Sequence, residues 1–254
     1  MMPWRRHRRK RPALDERAQA DAWQAVSLLL DYPDERLLSL LPLLGETAAG
    51  LPEHVGGPLT TFVEHAISAD PEELRAEYVD TFDYTRKCAL HLTYALHGDT
   101  RRRGAALVEF RQAYRRAGVE LSDTDGELPD HLCVLLEFGA SADPATAWKL
   151  LNDHRVSIEL LHAALLSRSS PWLPVVQALR ATLPTLDGDD EQALAALIAQ
   201  GPPQEDVGID TSPYAVDPEL DERMSSPTSG EGCASSPSPT RADLGPDIPV
   251  GVPR

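Results

Sequence analysis

Between residues 17 and 200 the apolar side chains recur every three or four positions, and no run of alternating apolar and polar residues stands there between turn pairs. That period gathers the apolar groups on one stripe of a helix and would scatter them over both faces of a strand. It predicts an all-α, single-domain helical bundle, because amphipathic helices must bury their stripes against one another.

The helix boundaries follow from caps and breakers. A first helix is expected from Arg17 to Leu30, with Ala22, Val26, Leu29 and Leu30 on its stripe and Asp31-Tyr32-Pro33 stopping it. A second runs from Asp34 to Leu44. Pro58 is expected to open a third through Phe62, Val63, Ala66 and Ile67, and Pro71 a fourth through Leu74, Tyr78 and Phe82. Gly98 can take the left-handed conformation that ends a helix, and Asp99 can cap the next, from Thr100 to Ala117. A polar loop over 118–127 leads to Pro129 and a helix carrying Leu132, Leu135, Leu136 and Gly139. Asp143-Pro144 is expected to start one long helix to Ser167, Ser170-Pro171 another to Leu183, and Asp189 to Gln200 a last one.

Charge divides the chain into three parts: a basic arm (1–16), the helical domain (17–200) and a tail (201–254). The formal net charge is −16, yet residues 1–12 hold Arg5, Arg6, Arg8, Arg9, Lys10 and Arg11 without an acid, which leaves −22 for the rest. So acidic a body argues against nucleic acid as a partner. The arm reads as disordered; its paired arginines are followed by Asp15, Glu16, Arg17 and Asp21, not by the apolar stretch an export signal needs. The tail, rich in Pro, Ser and acids, lacks the apolar surface to offset chain entropy and is expected to be disordered. No uncharged apolar run of about 18 residues occurs, so no stable membrane insertion is expected. Cys88, Cys133 and Cys233 are few, odd in number and far apart, which suits a reducing cytoplasm better than a disulfide framework.

Three blocks carry more specific information: Tyr78-Val79-Asp80-Thr81-Phe82-Asp83, then His97-Gly98-Asp99-Thr100-Arg101-Arg102-Arg103-Gly104, then Glu127-Leu128-Pro129-Asp130-His131-Leu132 running on to Leu136-Glu137-Phe138. In this order they resemble the nitrate reductase molybdenum-cofactor assembly chaperones, the NarJ type within the TorD-like chaperone family, with weaker similarity over about 20–200. The resemblance implies an all-helical cytoplasmic chaperone and not an enzyme, with no cofactor of its own. Its partner would be the apo catalytic subunit of nitrate reductase, held by its N-terminal segment during molybdenum cofactor insertion, with cofactor-delivery proteins as further partners. The family's recognition block falls on Glu127, Pro129, Asp130 and His131.

Residue chemistry adds detail. Asp130 and His131 are expected in the first turn of a helix, where the dipole favours a carboxylate and a neutral imidazole. Glu137 would lie near the same face, with Asp80 and Asp83 extending an acidic lip toward a basic amphipathic peptide; the alternative is that Asp130 only caps and the acids are solvated. Tyr78 and Phe82, at i and i+4, are expected to pack. Arg101, Arg102 and Arg103 at a helix start oppose the macrodipole, so an acid should offset them. Asp80, Asp83 or Glu137 are the intramolecular candidates, and the phosphates of an arriving molybdopterin dinucleotide the other.

Rival chemistries are thin. Cys88-x-x-His91 offers two metal ligands at most, in an expected helix, and no metal site is assigned. Glu159-x-x-His162 suits one half of a dinuclear carboxylate enzyme, but a second copy is missing. A helix-turn-helix regulator would use the Gly98 turn and the triple arginine, against the charge of the body. Nucleophile elbows, phosphate loops and zinc-protease motifs are absent from the sequence.

Overall fold

The computed structural model describes residues 14–98, 101–121 and 127–186, together with the isolated helical positions 192, 195 and 196. Ten α-helices occur among the described residues, joined at one point by an isolated antiparallel bridge between His91 and His131. The bundle is therefore all-α. The expected tail, the arm up to residue 13, Asp99 and most of the 189–200 helix lie outside the described residues.

Helix α1 (Glu16–Leu29) is the axis of the bundle. Asp15 caps it by accepting the Ala18 N–H at 2.8 Å, and Leu14, within the expected arm, is buried. Ala22, Trp23, Val26 and Leu29 are fully buried against α2 (Glu35–Gly50), α3 (Glu53–Ser68), α7 (Leu132–Ser141) and α10 (Leu173–Thr182). The two large indoles inside this core are paired. The Trp23 indole donates to Thr182 Oγ1 at 3.1 Å and the Trp172 indole to the Leu29 carbonyl at 3.1 Å, tying α10 to α1. Gly139 is where α7 crosses α1 and α8: a Cβ there would lie 2.6 Å from the Ala147 Cβ and 2.7 Å from the Trp23 ring.

Several boundaries differ from their expected positions. The second helix continues through Pro42 to Gly50, and the third begins at Glu53, so Pro58 lies inside it and does not open it. A mid-helix proline forfeits one bond to the carbonyl four residues back. Tertiary burial outweighs that loss here, because Val55, Leu59, Phe62 and Val63 are buried against α2 and α10. The helix expected from 143 to 167 is two, α8 (Pro144–Asp153) and α9 (Arg155–Ser167), broken at His154. No glycine or proline marks the break. His154 is buried with its Nδ1 3.0 Å from the Leu150 carbonyl and its ring 4.9 Å from Phe110, while Arg155 is drawn inward to Glu159. The helix expected to open at Ser170-Pro171 starts at Leu173, two residues beyond the proline.

The first motif block continues α4 (Pro71–Tyr78) as a single π-helical turn, Val79–Asp83. Tyr78 and Phe82 pack as expected. Their rings are 4.7 Å apart and both stand edge-on to Trp172, at 5.6 and 5.5 Å. After a 3-10 turn at Arg86–Cys88 and the short α5 (Tyr94–His97), Gly98 leaves the chain at φ 56°, the left-handed conformation expected of it. Helix α6 (Arg101–Arg116) follows.

Candidate peptide-recognition site

Two short stretches far apart in sequence meet beside α7. The Leu92 N–H donates to the Asp130 carbonyl at 3.0 Å and the Leu132 N–H to the Leu90 carbonyl at 2.8 Å, so 90–93 lies antiparallel to 129–132. This pairing places the His91 and His131 rings edge-to-face at 5.2 Å. The Tyr114 hydroxyl donates to the Pro129 carbonyl at 2.7 Å and Ser157 to the Leu92 carbonyl at 2.5 Å, which hold the pair against α6 and α9.

Asp130 is 0% exposed at the centre of this junction. Its Oδ2 accepts the Thr93 N–H at 3.1 Å and the Thr93 hydroxyl at 2.6 Å. Arg103 Nη2 stands 3.8 Å away, its Nε donates to Thr93 Oγ1 at 3.3 Å, and its guanidinium lies 5.5 Å from the Tyr94 ring. Asp130 Oδ1 faces His91 Nδ1 at 3.4 Å, too poorly aligned for a hydrogen bond. Burial pushes the Asp130 carboxyl up, but His91 and Thr93 outweigh it and hold the group at about 2.

These contacts correct the expected placement of the Asp130 pair. Asp130 is not in the first turn of a helix and caps nothing: α7 begins at Leu132, His131 is its N-cap residue without a side-chain cap bond, and the Asp130 carboxylate turns away to Thr93. Nor is it an exposed rim group. It is a buried brace between two loops. His131 is pushed down to about 4, by burial first and then by His91, against the pull of Asp31 and Asp130. It is neutral at pH 7, for reasons of desolvation more than of the helix dipole.

The exposed acids form a separate layer. Asp83, Glu127 and Glu137 are exposed, and so is Asp31 at the end of α1, which sequence reasoning read only as a helix stop. Their charges converge on shared groups. Burial raises the Tyr78 phenol and Asp31, Asp83 and Glu127 push it further; burial raises the Cys133 thiol and Asp31, Glu127 and Glu137 add to it. Next to three of these carboxylates in the chain are Tyr32, 42% exposed and edge-on to Tyr78 at 5.5 Å, Tyr84 at 80% and Leu128 at 39%. The patch combines acids with exposed aromatic and aliphatic surface. Asp80 is exposed as well, with its carboxylate accepting from Arg168.

The triple arginine separates likewise. Arg103 finds its acid in Asp130, which was not among the expected intramolecular candidates, while Arg101 and Arg102 stay exposed at the start of α6. The other candidate clusters dissolve. Cys88 ends a 3-10 turn with its thiol buried and pushed up by desolvation, and His91 lies on the extended stretch and not in a helix with it. Glu159 is taken up by two arginines: Arg155 Nε and Nη2 both lie 2.8 Å from its Oε1, and Arg180 reaches Oε1 at 3.0 Å and Oε2 at 2.8 Å. Arg180 Nη1 also lies 3.2 Å from His162 Nε2. A carboxylate so occupied is no metal ligand, and no group of three ligating side chains occurs among the described residues. No helix among them is long and apolar enough to cross a membrane.

The sequence model of the nitrate reductase delta subunit matches residues 48–178. The chain is 31% identical over 214 residues to the nitrate reductase molybdenum cofactor assembly chaperone NarJ of Escherichia coli (strain K12), covering 83% of this chain and 86% of that one. It is 38% identical over 161 residues to the nitrate reductase-like protein NarX of Mycobacterium tuberculosis, 62% of this chain but only 23% of NarX. A crystal structure of a candidate redox enzyme maturation protein from Archaeoglobus fulgidus overlays at a TM-score of 0.49 with 25% identity, over 63% of this chain and 91% of that one. The helical bundle described above thus belongs to the nitrate reductase delta subunit family. Within that family its relatives over most of their length are chaperones of the NarJ type.

Proposed function

We propose that this protein is a cytoplasmic assembly chaperone for nitrate reductase and not a catalyst. It binds the N-terminal segment of the apo catalytic subunit and keeps that subunit open until the molybdenum cofactor has been inserted, in contact with the proteins that deliver it. The observation that carries the binding mode is that the exposed Asp31, Asp83, Glu127 and Glu137 act on the shared Tyr78 and Cys133, and that the first three each adjoin in the chain an exposed aromatic or aliphatic side chain, Tyr32, Tyr84 and Leu128. A basic amphipathic peptide complements these side chains: apolar anchors cover the aromatic surface and its cations meet the acids. His131, neutral and half-buried at the edge of α7, offers a hydrogen bond to the peptide, and Asp130 with Thr93 and Arg103 fixes the loop that carries it.

Calorimetric titration with the client's N-terminal peptide tests this, with a scrambled peptide of equal charge as control. Selective binding that weakens at least about tenfold between roughly 50 and 500 mM salt supports the reading, since screening shortens below about 10 Å over that range. The Asp31→Asn, Glu127→Gln, Glu137→Gln variant should lose most of the affinity with its melting temperature unchanged. Equal binding of the scrambled peptide, or full affinity in the triple variant, would overturn it.

A further inference from the structure

The pairing of 90–93 with 129–132 puts a second imidazole beside His131, and its neighbours fix which of its nitrogens can act. His91 is held by backbone on both sides: the Leu92 and Leu132 bonds flank it, and its own carbonyl accepts the Tyr94 N–H at 3.1 Å. Its side chain is 28% exposed while its Nδ1 is buried without a hydrogen-bond partner, so the open part of the ring is the edge that carries Nε2. Asp130 Oδ1, equally buried and unpartnered, stands 3.4 Å from that Nδ1. The alignment is too poor for a hydrogen bond, but between two buried atoms at this distance the sign of the charge decides. A lone pair on Nδ1 would face a carboxylate and be repelled, whereas a proton there is attracted. In the neutral ring the proton therefore sits on Nδ1, and Nε2 is left as a bare acceptor.

We infer that His91 is a specificity-determining contact of the client: Nε2, freed by the proton that Asp130 holds on Nδ1, accepts a hydrogen bond from a Lys, Arg or backbone N–H of the bound peptide. The inference rests on the client-binding reading above and extends it to a residue that the sequence offered only as a metal-ligand pair with Cys88. The ring is in place for the task, edge-to-face with His131 at 5.2 Å. Its chemistry is complementary as well. Lys and Arg side chains bring donors and no acceptors, so an imidazole held as an acceptor pairs with them, where the opposite tautomer would set donor against donor. Asp130 is then a positioning residue. It is sealed from solvent and from any ligand, and it acts on the peptide only through the tautomer of His91.

Long-range proton–nitrogen correlation spectra of the full-length protein, isotope-labelled in histidine, read the tautomer directly at about pH 8, where an ordinary imidazole is neutral; His91 is assigned by the signal lost in His91→Gln. The free protein should show a protonated Nδ1 and a bare Nε2 at His91. Saturation with the client's N-terminal peptide should move the Nε2 signal toward the hydrogen-bonded range and leave Nδ1 protonated. In Asp130→Asn the two Thr93 donors keep the amide oxygen at the Oδ2 position. The amide nitrogen then faces Nδ1 and donates to it, so the His91 proton should transfer to Nε2 and peptide affinity should fall about tenfold. His91→Phe, which keeps a ring against His131, should show the same fall, and His91→Gln, whose amide oxygen reaches the Nε2 position, should restore most of it. A proton on Nε2 in the free protein, an Nε2 signal indifferent to bound peptide, or full affinity in Asp130→Asn and His91→Phe would overturn the inference and leave the client-binding reading standing. A peptide that does not bind the native protein at all would overturn both.

Discussion

Replacing Asp130 by Asn removes one buried negative charge and keeps the shape of the side chain. In the native protein Asp130 Oδ2 accepts two bonds from Thr93, whose backbone is itself fully buried. Bonds to a carboxylate contribute about 1.5–3 kcal/mol each and neutral ones about 1, so the exchange costs about 2 kcal/mol. Linkage gives a similar figure. The group sits at about 2 instead of 3.8, and at roughly 1.4 kcal/mol per unit that is about 2.5 kcal/mol. For a domain of this size the melting temperature at pH 7 should fall by about 4–8 °C. The sign with pH follows from the depressed value. The contribution is complete above the unfolded pKa near 4 and is lost as pH falls through about 2, so it is roughly halved at pH 3. Urea titrations of both proteins at pH 7, 5 and 3 should therefore show a constant gap at the first two and a gap about half as large at the third. His91 shares with Thr93 in holding the group down, and Arg103 loses its counter-charge in the variant, so both belong to the gap. A variant as stable as the parent at pH 7, or a gap indifferent to acid, would show that Asp130 is not the brace described.

His131, held at about 4 against an ordinary 6.5, stabilises the fold above pH 6.5 and loses that contribution as pH falls to about 4, up to about 3 kcal/mol; His131→Gln should flatten the stability profile over that window, as followed by denaturant midpoints. Gly139→Ala should destabilise by about 2–3 kcal/mol despite alanine's better helix propensity, because its Cβ meets Trp23 and Ala147 below 3 Å; an equal or higher melting temperature would contradict the packing. Glu159→Gln should cost about 3–5 kcal/mol, since it leaves Arg155, 4% exposed, facing Arg180 without a counter-charge; calorimetric unfolding reads this, and a silent substitution would mean the triad is not formed.

The sequence by itself determined the class of fold, the stripes of the helices and the family. These are local properties: a 3.6-residue period, helix starts such as Asp34 and Asp143, and the left-handed Gly98 need no knowledge of distant residues. It also brought out the blocks that hold Asp130, His131, Glu127 and Glu137. What it could not determine was which of these polar groups go inside. Asp130 and Glu137 look alike as letters, yet one is sealed by Thr93 and Arg103, which lie 37 and 27 positions away in the chain, and the other is exposed. The same holds for Asp31, read as a helix stop and found exposed beside Tyr32, and for Glu159, whose spacing to His162 suited half of a metal site that lacked its second copy and which lies between Arg155 and Arg180. Even the helix break at His154 is tertiary, since no local breaker marks it. Burial of a charge depends on partners supplied by other elements, and an ionised group enters the interior only where those partners meet it. Only the packing of the helices brings such partners together.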